Sequence, residues 1–130
     1  MNPGGVRADL VPGPNSSITY GQLFAAQPFA NKLVMKSFPG RQIRALFEQQ
    51  FVDPASPRVL LPSLSLRYSY DLSHSAGSRV INHRVNGAPL ADSANYRVTM
   101  NSFLASGGDG FAVLFEGTEV VGGAPDIDAL

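Results

Sequence analysis

Tyr96-Arg97-Val98-Thr99-Met100-Asn101-Ser102-Phe103-Leu104-Ala105-Ser106-Gly107-Gly108-Asp109-Gly110-Phe111 begins as a strand and ends as a glycine-rich loop. Tyr96, Val98 and Met100 alternate with Arg97 and Thr99, the period of a half-buried strand. Three glycines within four positions then imply backbone at positive φ, or backbone that must approach something closely. Asp109 sits among them, where its oxygens can accept from paired hydroxyls or from N–H groups of its own loop. Composition leaves a plain turn and a ligand site both open. The loop is not a P-loop, because no Lys-Ser/Thr follows the glycines. It is a poor calcium loop, since Asp109 is its only carboxylate. Phe103 precedes the glycines on a segment short enough to leave a ring face partly open, and such a face beside a fixed acceptor suits a nucleoside.

Working outward, the neighbouring segments indicate an α+β fold with a mixed, mainly antiparallel sheet and two or three helices. Thr19 with Gln22 forms a capping box, and the helix it starts should stop before Pro28, leaving Phe29 and Asn31 in the exit connection. Leu33 to Phe38 reads as a strand turned by Pro39-Gly40. Ile43, Leu46, Phe47 and Phe51 mark one stripe of a helix from about Arg41 to Phe51, read as core. A proline-rich connection follows from Asp53 to Pro62. Leu66, Tyr68 and Tyr70 alternate in a further strand, and Val80 to Val85 forms another, closed by Asn86-Gly87. Phe111 to Phe115 is expected to be a short final strand. Asp126 caps the first turn of a helix that goes no further, so the chain is expected to be a piece of a longer protein.

The totals limit the function classes. The chain has 130 residues, read as one domain over 1–130, and 44% of them are hydrophobic. At that size roughly two-thirds of the unfolded surface can be buried. Ten basic residues balance ten acidic ones, which argues against a broad nucleic-acid surface. No apolar run approaches a membrane span. Cysteine is absent, excluding disulfides and thiolate metal sites. Met1 leads straight into Asn2-Pro3-Gly4-Gly5, which does not read as a signal peptide. His74 and His83 lie in no metal-ligand context, and no catalytic constellation of serine or paired carboxylates is present.

Four blocks occur in order: Asn2-Pro3-Gly4-Gly5-Val6-Arg7, Pro28-Phe29-Ala30-Asn31, Tyr70-Asp71 with Gly77-Ser78-Arg79, and Asn101 to Phe111. Together they resemble the C-terminal, substrate-binding domain of the 5′-nucleotidase and UDP-sugar hydrolase family, over nearly the whole chain. The resemblance implies that two divalent metal ions and the catalytic residues belong to an N-terminal metallophosphoesterase domain, the partner of this one. It also implies a periplasmic or extracellular parent hydrolase, and a chain that is inactive alone. Position by position, Phe29 and Phe103 match the aromatics that sandwich a nucleobase, and Asp109 the carboxylate on the ribose hydroxyls. Asn31 matches a side chain at the base edge, with Asn2 opposite it, and Arg7 an arginine that holds phosphate or leans to the ribose. Arg41, Arg58, Arg67, Arg79, Arg84 and Arg97 match no phosphate position and are expected to be solvated or strand-edge charges. Two departures bear on the pocket: Pro3 replaces a glycine, and Pro62-Ser63-Leu64-Ser65 stands where many members carry glycine beside the base. They leave open cyclic nucleotides, UDP-sugars or NAD as substrates, and an interaction module without nucleotide binding.

Overall fold

The computed structural model describes residues 1–2 and 4–129. Two antiparallel three-stranded sheets and three helices form its frame. Thr19 caps α1 (Tyr20–Ala26) through the reciprocal bonds of a capping box with Gln22. The chain then enters β1 (Lys32–Pro39) and passes without a turn into α2 (Gly40–Gln49), with Pro39 as the capping residue. A turn at Pro39-Gly40 is therefore not what forms. Gly40 opens the helix because a Cβ there would collide with the carbonyl oxygen of Ala91.

The second sheet consists of β2 (Leu66–Tyr70), β3 (Val80–Val85) and β4 (Ala88–Pro89), in that order. Asn86 and Gly87, at φ 50° and 82°, close the β3–β4 hairpin with two positive-φ residues. The first sheet places β1 between β5 (Asn95–Asn101) and β6 (Thr118–Pro125). The one-turn helix α3 (Ser102–Ala105) follows β5 directly, with the Asn101 side chain accepting from the Leu104 N–H.

Phe38, Ile43, Leu46, Phe47, Phe51, Met100, Leu104, Phe111 and Leu114 are buried together between α2, the sheets and the α3 region. Phe47 and Tyr68 meet with ring centroids 4.5 Å apart. Buried Gln50 ties the proline-rich connection to this core. Its Oε1 accepts from the Leu60 N–H at 2.7 Å and the Tyr68 hydroxyl at 3.1 Å, and its Nε2 donates to the Phe47 carbonyl at 2.9 Å.

The expected strand from Phe111 to Phe115 is instead a 3₁₀ turn over Ala112–Glu116, and the last strand is β6. A buried cation accounts for the difference. Lys36, on β1, sends Nζ to the carbonyls of Ala105 (2.7 Å), Leu114 (2.9 Å) and Phe115 (3.3 Å). Carbonyls gathered on one ammonium are not aligned for a ladder, whereas a tight turn that buries Leu114 satisfies them.

Candidate nucleotide-binding cleft

Three segments far apart in sequence converge at the start of α3. Met1 and Leu61 exchange bonds, Leu61 N–H to Met1 O at 2.8 Å and the Met1 ammonium to Leu61 O at 2.7 Å, and so anchor the chain at Asn2. Arg7 is held through its N–H to the Ala26 carbonyl at 2.8 Å, which ties the opening segment to the end of α1. Asn31 is held through its carbonyl, which accepts from the Asp126 N–H at 3.0 Å. These anchors, with Phe103 on α3 and Asp109 beyond it, frame a cleft of about 370 Å³. Asn2, Arg7, Phe29, Asn31, Phe103 and Asp109 all line it, and Asn101 joins them.

Two strained residues shape its walls. Ala30, between Phe29 and Asn31, has φ 50°, and Asp109 has φ 56°. Positive φ is costly for residues with a Cβ and persists only where the surroundings impose it. Gly107 and Gly110 flank Asp109 at φ 81° and 82°, which completes the tight path of the loop. Gly108 has a different reason to be glycine. A Cβ there would come within 2.5 Å of the Phe103 ring, so the ring lies against bare backbone.

Polar groups in the cleft are ordered by a directed chain. The Leu104 N–H donates to Asn101 Oδ1 at 2.9 Å, so Asn101 presents its amide protons. Asn101 Nδ2 reaches Asn2 Oδ1 at 3.4 Å, and Asn2 Nδ2 donates to Asp109 Oδ2 at 2.7 Å. The last bond joins residues 107 positions apart. Arg58 completes the support by donating from Nη1 to the Asp109 carbonyl at 2.8 Å.

Phe29 and Phe103 are 42% and 45% exposed, so neither belongs to the core. The Arg7 guanidinium carbon stands 5.2 Å from the Phe29 ring centroid, a cation–π arrangement on one face. Pro62, Ser63 and Ser65 do not line this cleft. They border a larger cavity of about 610 Å³ between β5 and the second sheet, among core residues such as Phe38, Leu46 and Met100. The departure from family pattern there thus lies outside the wall it was expected to alter, and the stiffening expected at Pro3 lies outside the described residues.

Two arginines have structural partners beyond the expected solvated role: Arg58 supports the Asp109 loop, and Arg79 donates to the Phe51 carbonyl at 2.6 Å. Arg97 is a strand-edge charge as expected, exposed on β5, where it bonds Ser37 and Glu119 across the first sheet. Asn101, Ser102 and Arg58 were not singled out as site residues. Asn101 carried a readable signal, an N-cap type of residue at a strand end three positions before an N–H in need of a partner. Arg58 carried none, because its link to Asp109 spans 51 positions. Among the described residues, no three His, Asp or Glu side chains come together as metal ligands, and no helix is long and apolar enough to cross a membrane.

Comparison with known proteins identifies the fold and the family. A solved 5′-nucleotidase precursor from Thermus thermophilus superposes with a TM-score of 0.76 at 38% identity, over 98% of this chain and 26% of its own. The NAD nucleotidase of Haemophilus influenzae superposes with a TM-score of 0.75 at 26% identity, over 98% of this chain and 25% of its own. A trifunctional nucleotide phosphoesterase protein of Bacillus subtilis is 31% identical over 121 residues, 88% of this chain and 8% of that protein. The chain thus spans about a quarter or less of the length of these relatives. The profile of the 5′-nucleotidase C-terminal domain matches residues 1–116, and the chain belongs to that family.

Proposed function

We propose that the cleft binds the nucleoside part of a nucleotide and presents its phosphate to a metal-dependent phosphoesterase domain of the same, longer protein. The observation that carries this reading is the convergence of Asn2, Arg7, Phe29, Asn31, Phe103 and Asp109 on one cleft. The base stacks between Phe29 and Phe103, each contact worth about 1–3 kcal/mol and tolerant of base identity. Asp109 accepts from the ribose hydroxyls, Asn31 meets the base edge, and Asn2 orients Asp109. Arg7 swings between the Phe29 face and a substrate phosphate, whose oxygens a guanidinium fork suits. Two divalent metal ions in the partner domain activate the water that attacks the phosphate ester or pyrophosphate. This chain supplies the grip and, alone, no hydrolysis. The parent works in the periplasm or outside the cell, in nucleotide catabolism.

Titration of the 130-residue chain with adenosine, AMP and UMP, followed by NMR, tests the reading. Binding at millimolar strength or better, lost in both Phe29→Ala and Phe103→Ala, is expected. Binding that survives both changes would sink the clamp, and phosphate release by this chain in metal-supplemented buffer would sink the division of labour. The likeness to an NAD nucleotidase favours a second substrate, a dinucleotide held by one nucleoside half; NAD added to the same series would then shift the same residues as AMP.

A further inference from the structure

We propose that Ser102 determines which bases the cleft accepts, by locking the Asn31 amide with its donor end open to the ligand. The inference rests on the nucleoside reading and concerns a residue outside the set that touches the ligand. The Lys32 N–H, which can only donate, gives its proton to Ser102 Oγ at 3.2 Å. The single hydroxyl proton of Ser102 goes to Asn31 Oδ1 at 3.0 Å. Turning the Asn31 amide over would place its NH₂ against Ser102 Oγ and leave that hydroxyl proton without an acceptor among the described residues. Protein groups among the described residues therefore satisfy the chain from Lys32 through Ser102 in one direction.

Two consequences follow for the cleft. Asn31 lines it with Oδ1 already engaged, and its amide protons have no protein acceptor among the described residues. The base edge that meets these amide protons is favoured when it offers an acceptor, an unprotonated ring nitrogen or a carbonyl oxygen, over one that offers a proton. Asn31 stays in place without Ser102, because its carbonyl is held by the Asp126 N–H at 3.0 Å. Loss of the hydroxyl frees the amide to turn while leaving the backbone where it is.

Affinities of adenosine and its 1-deaza, 3-deaza and 7-deaza analogues, each lacking one ring acceptor, test the lock. They are to be measured on the wild-type chain, Ser102→Ala and Ser102→Thr. In the wild type one analogue should bind about tenfold more weakly than adenosine, the size of one lost hydrogen bond. In Ser102→Ala that difference should shrink to about twofold, since either end of the amide can then face the ligand; Ser102→Thr, which keeps the hydroxyl, should restore it. An undiminished difference in Ser102→Ala, or no difference for any analogue in a wild type whose adenosine binding needs Phe103, overturns the lock alone. Absence of adenosine binding in the wild type overturns the nucleoside reading, and the lock with it. The Asn31 side-chain amide resonances of the ligand-free protein give a further readout. They should shift in Ser102→Ala while the backbone resonances of residues 32–39 stay put, and unmoved amide signals would also count against the lock.

Discussion

The buried site around Lys36 and the cleft around Asp109 both adjoin α3, and both are built from polar groups held among carbonyls and amides. They differ in how completely those groups are used. Lys36 is 6% exposed and points Nζ at three carbonyls, which matches its three donors. In the cleft, Asp109 Oδ2 takes one bond from Asn2, the Asn31 amide protons have no acceptor among the described residues, and two phenylalanines stand nearly half exposed. A saturated polar centre in a core fastens elements together. An unsaturated one in a concave site has capacity left for a ligand, and this contrast separates scaffold from function here more clearly than burial or charge does.

The contrast is broken most severely at Lys36. Lys36→Met keeps length and apolar stem but orphans carbonyls at the end of α3 and in the following 3₁₀ turn. Urea unfolding should show a loss of about 3 kcal/mol, since each buried unpaired acceptor costs about 1–3 kcal/mol. A loss below about 1 kcal/mol, within the range of an ordinary surface change, would mean that the carbonyls find other partners.

Asp109→Asn sharpens the other side. Asparagine tolerates the positive φ of that position and still accepts from Asn2, so unfolding should move by less than about 0.5 kcal/mol. Adenosine affinity should fall by about 1.5 kcal/mol, the loss of charge in a hydrogen bond to the ribose, and 2′-deoxyadenosine should be less affected. Equal losses for both ligands would place Asp109 away from the 2′-hydroxyl.

The smallest effect concerns His83, a buried polar residue that fits neither class. Arg44 Nη1 donates to its Nδ1 at 3.0 Å, so the ring is neutral with its proton on Nε2, which has no partner among the described residues. Burial first, and the Arg44 charge second, lower its pKa below the ordinary value of 6.5; Glu48 and Asp92 oppose this less strongly. The unfolded chain therefore binds this proton more readily than the folded one. The stability contribution is complete above about pH 6.5 and is lost as pH falls towards the lowered folded value. Between pH 7 and 5 the slope from this group stays under about 1.4 kcal/mol per pH unit. Chemical denaturation of His83→Gln across that window should show the slope removed; a wild type equally stable at pH 5 and 7 would contradict the sign.

What the sequence determined by itself was everything resting on a few neighbouring residues. The Thr19–Gln22 box, the alternation at Tyr96 to Met100 and the Asn86-Gly87 turn formed where they were read, as did the Ile43, Leu46 and Phe47 stripe of α2, with Phe51 buried just past the helix end at Gln49. The box and the turn depend on interactions within about four positions, and the alternation and the stripe are periods legible among neighbours even though their partners, such as β1 for β5, lie far along the chain. Family resemblance also pointed to six cleft residues, but not to the bonds among them. Tertiary structure alone decided that Phe111 to Phe115 turns instead of pairing, because the deciding cation, Lys36, lies 78 positions from Leu114. It likewise brought Arg58 to the Asp109 carbonyl, linked Asn101 to Asn2, and set Ser102 against Asn31. Those groups have no local preference for one another. They meet because the strands and α3 bury a common core, and the bonds they make are fixed only once that core has formed.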